Sequence, residues 1–201
     1  FINFSDEIFL NKNDFSISVN WLESWKGIFK AHPWLSGPKD SYLGYTKRGG
    51  GALCEHSHGI HLFLCLMSHF NKSFQRIETT TKKIIENQGT NYDQLSSIEI
   101  YDKYEQCNVC KQDIFTWPAE KFVLLKNNAI TLKWTCNKLE NVDSIEFISK
   151  EEKWEKTFTK SRPLDFFYEL ELIGKQIKRK DKCFLDFSYA NDVMDIIDLV
   201  H

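Results

Sequence analysis

The sequence is short of the features that would sort it at once. No apolar run approaches the roughly 18–20 residues a membrane-spanning helix needs. The longest, Leu62 to Met67, is flanked by polar residues, so no membrane association is expected. Charge of one sign is lacking too. Lys plus Arg is 26 and Asp plus Glu is 28, which excludes a strongly basic, histone-like mode of nucleic-acid binding. Six Cys in 201 residues are too few for a disulfide-stapled secreted scaffold. There is no internal repeat and no low-complexity segment. Lys47 to Gly51 (KRGGG) lacks the Lys-Ser/Thr ending and the preceding strand of a phosphate loop, and it reads as a flexible basic turn. The chain opens on Phe, not Met, and reads as a fragment or processed form with no visible signal peptide. An intracellular setting, nuclear or cytoplasmic, is expected.

What is present is aromatic. Sixteen Phe, seven Tyr and six Trp can fill a core without covalent staples. The coarse pattern is α+β in a single compact domain, residues 1–201. A helical, Cys/His-rich part covers 1–100, a hairpin with a CxxC covers 101–150, and a helical part covers 151–201. Residues 14–19 alternate like a half-buried strand, and Trp21, Trp25, Ile28 and Phe29 fit a helix face. Helices are expected from about His58 to Phe70 and from Lys72 to Gln88. Residues 121–136 form a hairpin turning at Asn127-Asn128, Ile145 to Ile148 adds a strand, and 183–187 adds another. Ser161 caps a helix carrying Phe166, Phe167, Leu170, Ile173 and Ile177, and a last helix covers 191–200.

Two clusters carry candidate chemistry. In CEHSHGIHLFLCLMSH, residues His58, His61, Cys65 and His69 step by 3, 4 and 4 along a helix, with Cys54 and His56 just before. Zinc takes four N or S ligands, and such a loop-plus-helix set can supply them. The plainer reading is a packed amphipathic helix with inert thiols. A third reading makes Cys54 a nucleophile with a His base, which would make a thiol hydrolase. Glu140, Asp143 and Glu146 would suit a nuclease only if their strand-like pattern did not turn 143 and 146 to opposite faces. The second cluster is Cys107, Cys110 and, after the hairpin, Cys136. It gives three thiolates, and a His of the first cluster could complete the set. Lys175, Lys178, Arg179 and Lys180 form a basic helix end that complements the helix dipole and could touch phosphate.

The arrangement Tyr104, Cys107, Cys110, Trp134 and Cys136 resembles a CW-type zinc finger, over about 45 residues. A Cys/His-rich segment followed by such a finger also resembles the N-terminal region of one class of flavin-dependent lysine-specific histone demethylases. The resemblance implies zinc held by Cys107, Cys110 and Cys136, and a cage for methylated lysine built from aromatics such as Tyr104, Trp117 and Trp134. It points to a chromatin-associated protein-interaction module rather than an enzyme, with a protein partner and zinc as cofactor. A hydrolase is the alternative.

Overall fold

The computed structural model describes residues 1–9, 13–85, 89–179 and 187–200. Its centre is one eight-stranded sheet. The strands are β1 (Ser16–Leu22), β2 (Arg76–Ile85), β3 (Asn91–Tyr101), β4 (Cys107–Asp113), β5 (Glu120–Lys126), β6 (Thr131–Leu139), β7 (Val142–Ile148) and β8 (Lys153–Thr159). Their spatial order is β2-β3-β4-β1-β5-β6-β7-β8. Every pairing is antiparallel except β1 with β4, which is parallel. The sheet therefore changes sense at β1.

The core lies on one face of this sheet. Ile17 and Val19 of β1 sit opposite Leu125 and Val123 of β5 in register, and all four are buried. Ile98 and Ile100 of β3, Cys110 of β4, Leu132 of β6 and Ile145 and Phe147 of β7 extend the same layer. Ser16, Ser18 and Asn20 alternate to the opposite face. The core face is covered by α1 (Ile2–Phe9), α4 (Ser57–His69) and α6 (Phe187–Val200). Helix α4 buries Ile60, Phe63, Leu64 and Met67. That i, i+3, i+4, i+7 stripe is what makes this segment a helix facing a core. Each such side chain contributes about 1.5–3 kcal/mol on leaving water. Val193, Ile196 and Ile197 of α6 join the same cluster. Two short helices, α2 (Lys26–Ala31) and α3 (Ala52–Glu55), and the longer α5 (Arg162–Arg179) complete the chain.

Beneath the sheet's rim, Lys72 fastens three segments. Its ammonium donates to Phe15 O at 2.6 Å, Asn13 O at 3.1 Å and Asp102 Oδ2 at 3.0 Å, and both side chains are almost wholly buried. Asp102 Oδ1 in turn accepts from Tyr104 N and Gln106 N, which shapes the β3–β4 turn.

The expectation of a helical N-terminal part in an α+β fold is overturned by this sheet. Half of the strands, β1 to β4, lie at or before residue 113. The main difference is at 72–88, where the apolar spacing predicts a helix. Residues 76–85 are strand β2, paired antiparallel with β3. The apolar positions Ile77, Ile84 and Ile85 fit a helix face. However, the segment RIETTTKKII is dense in β-branched residues, which lose χ1 freedom in a helix and pack well on a pleated sheet. Trp21 likewise belongs to β1 and not to a helix. The hairpin at 121–136 is present as β5–β6. Its connection runs from Asn127 to Ile130, with Asn127 Oδ1 accepting from Ala129 N and Ile130 N. The strand expected at 183–187 falls almost entirely outside the described residues.

Candidate functional site at the parallel-to-antiparallel switch

In open α/β sheets the crevice outside the carboxyl ends of parallel strands, at a topological switch point, is the usual place for a ligand. Here that point is the end of β1, flanked by the end of β4 and the start of β5. Trp21 of β1 projects to the helical face. Lys121 of β5 stands 4.8 Å over its ring and 2.6 Å from Glu23 Oε2. The first turns of α4 come down on the same spot. Gly59 allows this, since a Cβ there would lie 3.0 Å from Trp21 Cβ and 3.3 Å from Gln112 Nε2. The close seat brings the exposed His58 imidazole to 6.0 Å from the Trp21 ring.

A second shoulder is built by Lys47–Gly51 and the turn before it. Gly50 and Gly51 are buried. A Cβ on Gly50 would run into the carbonyls of Tyr42 and Leu43, and one on Gly51 would run into the Asp93 carboxylate. Gly51 also has φ +92°, in the region that favours glycine. The glycines are therefore packing residues and not the flexible turn the sequence suggested. They clamp the Tyr42–Gly44 turn against the start of α3, where Asp93 Oδ2 accepts from Leu53 N at 2.8 Å. The clamp brings Tyr42 to Glu55, and the phenol donates to Glu55 Oε2 at 2.6 Å. Donation to a carboxylate, aided by burial and the carboxylate's charge, pushes the Tyr42 hydroxyl up to about 12. His56 lies buried beneath, with Nε2 3.3 Å from Glu23 O, and Gln112 Nε2 donates to its carbonyl. Desolvation pulls the His56 imidazole below its ordinary value, against the nearby Glu23 and Glu55.

Chemically, the patch offers an exposed imidazole able to take or give a proton. Beside it are an indole face and an ammonium, and the second shoulder carries a tyrosine–glutamate pair able to bind hydroxyl groups.

The residues singled out for zinc do not converge. Cys107 and Cys110 are three apart on a strand, so their thiols leave opposite faces of β4. Cys110 is fully buried in the core, and desolvation raises its thiol far above the ordinary value. Cys107 lies beside Glu99, with Sγ 3.7 Å from Oε2. Cys136 is on β6, three strands from β4, which is about 14 Å at sheet spacing. There it lies 3.4 Å from Lys160 Nζ. Cys54 is in α3. His58, His61 and Cys65 do share α4 as expected, but His61 packs near Tyr189 of α6 at 6.2 Å between ring centroids. Among the described residues no group of three or more His, Cys, Asp or Glu could hold a metal, and no disulfide joins the described cysteines. The zinc assignment and the CW-type resemblance are thereby overturned.

The aromatic cage fails as well. Tyr104 and Trp117 lie beyond opposite ends of β4, about 20 Å of strand apart. Trp134 is partly buried and donates from Nε1 to Asp143 Oδ2 at 3.1 Å. The thiol-hydrolase reading fails on Cys54, whose thiol is raised by burial and by Asp93 and Asp198. An activated nucleophile needs the reverse. The nuclease set is split, because Asp143 and Glu146 leave opposite faces of β7. Of the basic run, Lys175 pairs with Glu171 on α5, Lys178 and Arg179 end that helix, and Lys180 lies outside the described residues.

Comparison with known proteins bears on fold alone. No protein-family model matches the sequence, and no curated protein matches it. Solved structures do match. The UDP-N-acetylglucosamine 3-dehydrogenase GnnA from Acidithiobacillus ferrooxidans superposes with a TM-score of 0.67 at 7% identity, over 99% of this chain and 55% of that one. A levoglucosan dehydrogenase gives 0.66 at 11% identity, over 92% of this chain and 55% of its own. KijD10, a 3-ketoreductase from Actinomadura kijaniata solved with NADP and TDP-benzene, gives 0.63 at 8%, over 98% and 56%. The fold is one found in nicotinamide-dependent oxidoreductases. The chain spans a little over half the length of these structures.

The expectation of a non-enzymatic chromatin module, with a hydrolase as its alternative, is corrected: the three fold-sharing structures named above are two dehydrogenases and a ketoreductase, and none is a chromatin module or a hydrolase. A membrane-crossing helix is absent among the described residues. The flexible-turn reading of Lys47 to Gly51 is corrected at Gly50 and Gly51, which are buried where backbone approaches closely.

Proposed function

We propose that this chain forms the substrate-holding part of an oxidoreductase that interconverts a hydroxyl and a keto group on a carbohydrate. The observation that carries the reading is Trp21 set with His58 and Lys121 at the end of β1, and, three residues before His58, Glu55 holding Tyr42. The fold likeness to a sugar-nucleotide dehydrogenase, a levoglucosan dehydrogenase and a ketoreductase supports it. When an alcohol carbon is oxidised its hydroxyl proton must pass to a base, and His58 is the exposed group placed to receive it. Tyr42, whose hydroxyl donates to Glu55, offers its phenolic oxygen as an acceptor for a neighbouring hydroxyl, and Lys121, held by Glu23, offers a donor.

The described residues do not form a cradle for a dinucleotide. The sheet has a single parallel pair, and the glycine triplet follows a short turn instead of a strand, with Gly50 and Gly51 filled against protein atoms. The nicotinamide nucleotide would be held outside these residues. The test is NMR titration of the 201-residue chain with levoglucosan and with UDP-N-acetylglucosamine, as representative pyranose probes. Shifts confined to Trp21, Tyr42 and His58, and abolished in Trp21→Ala, are expected. Probes that leave those signals unmoved would overturn the reading.

A further inference from the structure

Helix α5 is out of keeping with the rest of the fold. None of its described side chains enters either apolar core. Leu164, Phe167, Leu170, Ile173 and Ile177 stand 46%, 60%, 68%, 37% and 76% exposed. An 18-residue helix gains little stability from propensity alone and is normally held by packing of its apolar face. Exposed apolar patches of this kind mark interaction sites.

Three features of α5 specify the occupant. Phe167, Leu170, Gly174 and Ile177 follow one another at steps of 3, 4 and 3, the spacing of a two-helix seam. Gly174 sits in the middle of that seam. A Cβ built there meets nothing within 4 Å, so the single chain has no use for glycine at a position where it weakens a helix. A second helix crossing close by would use it, because glycine lets backbones approach. The charges are polarised along the same helix. Asp165, Glu169 and Glu171 occupy the first ten positions beside a single Arg162, and Lys175, Lys178 and Arg179 occupy the rest. A copy of α5 laid antiparallel sets acidic half against basic half at both ends, whereas a parallel copy sets like against like. Such self-complementarity is what a two-fold interface between identical chains requires.

We propose that two copies of this chain associate through α5, paired antiparallel along Phe167, Leu170, Gly174 and Ile177. The experiment is sedimentation velocity of the full chain over a concentration series. A mass rising from 23.7 kDa toward twice that value is expected, with weaker association at high salt. Leu170→Glu, at a site that contributes nothing to the core, should give a monomer with an unchanged circular dichroism spectrum. Glu169→Lys with Glu171→Lys should weaken association by about tenfold. Adding Lys175→Glu and Lys178→Glu to the same chain should restore it. A chain that stays monomeric at every concentration overturns the proposal and leaves α5 to a different partner. A dimer that survives Leu170→Glu overturns it in favour of another face.

Discussion

Removing the Asp102 carboxylate tests the Lys72 fastening most severely. In Asp102→Ala the Lys72 ammonium stays buried, with only Phe15 O and Asn13 O as acceptors. Leaving one member of a buried ion pair behind costs about 3–5 kcal/mol. Two further bonds are lost, because Tyr104 N and Gln106 N no longer find Oδ1, at about 1 kcal/mol each. The total, about 5–7 kcal/mol, rivals the whole stability of an average domain, about 5–15 kcal/mol. Lys72→Met should cost less, since Asp102 keeps its two backbone donors and the methionine stem still fills the space beside Phe15. The double variant should cost clearly less than the two singles added, because the second change removes a charge already stranded. Urea unfolding of the wild type, both singles and the double gives the cycle. Asp102→Asn, which keeps an acceptor for the two N–H groups, serves if Asp102→Ala does not fold. Singles that simply add, or an Asp102→Ala cost under about 1 kcal/mol, would show that the pair is solvated and that Lys72 does not tie β1 to the β3–β4 turn.

Two further outcomes follow from the switch-point site. Burial lowers the folded-state pKa of His56 below its ordinary 6.5. The unfolded chain therefore binds a proton that the folded chain resists, so stability is complete above about pH 6.5 and falls as pH drops through the lowered value. Urea midpoints across that range should decline, and His56→Gln should flatten the decline. An identical slope in the variant would place the titration elsewhere. Gly51→Ala should lower stability by about 2 kcal/mol or more through its positive φ and its collision with Asp93, and should loosen the Tyr42–Glu55 bond. Gly27→Ala in α2, where a Cβ meets nothing, should be neutral or slightly stabilising, and thermal unfolding of the pair checks both.

What the sequence reveals of this fold is what adjacent residues decide. The stripe Ile60, Phe63, Leu64, Met67 declares α4 because each member faces the core by helical geometry alone. The β5–β6 hairpin declares itself because its partner strand is a few residues away. Strands β2 and β3 also have their partners a few residues away, but the spacing of Ile77, Ile84 and Ile85 fits a helix face as well, and only the place of β4 beside β1 is set by a remote partner. The polar positions of NYDQLSSIEIY are tolerable in β3 because β2 and β4 satisfy its backbone on both sides, and β4 gains its place from β1, whose residues lie about 90 positions earlier. Cysteine spacing misleads for the same reason. C-x-x-C joins two thiols on a turn, but on β4 it parts them across the sheet.

The same logic explains why the candidate site is invisible in sequence. Trp21, Tyr42, Glu55, His58 and Lys121 lie on five separate elements spread over about 100 residues, and no spacing rule links them. Trp21 and Lys121 meet because they face each other across the antiparallel β1–β5 pairing, and His58 joins them because α4 crosses the end of β1. The crossover that returns to β4 carries α4 across the end of β1 and sets α3 over β3 and β4, and β5 turns back beside β1. Gly59 and the Gly50–Gly51 pair then set how closely those pieces approach. Site and topology are therefore a single feature, and a substitution that lifts α4 from β1, such as Gly59→Val, should disperse the cluster while leaving every residue in it unchanged.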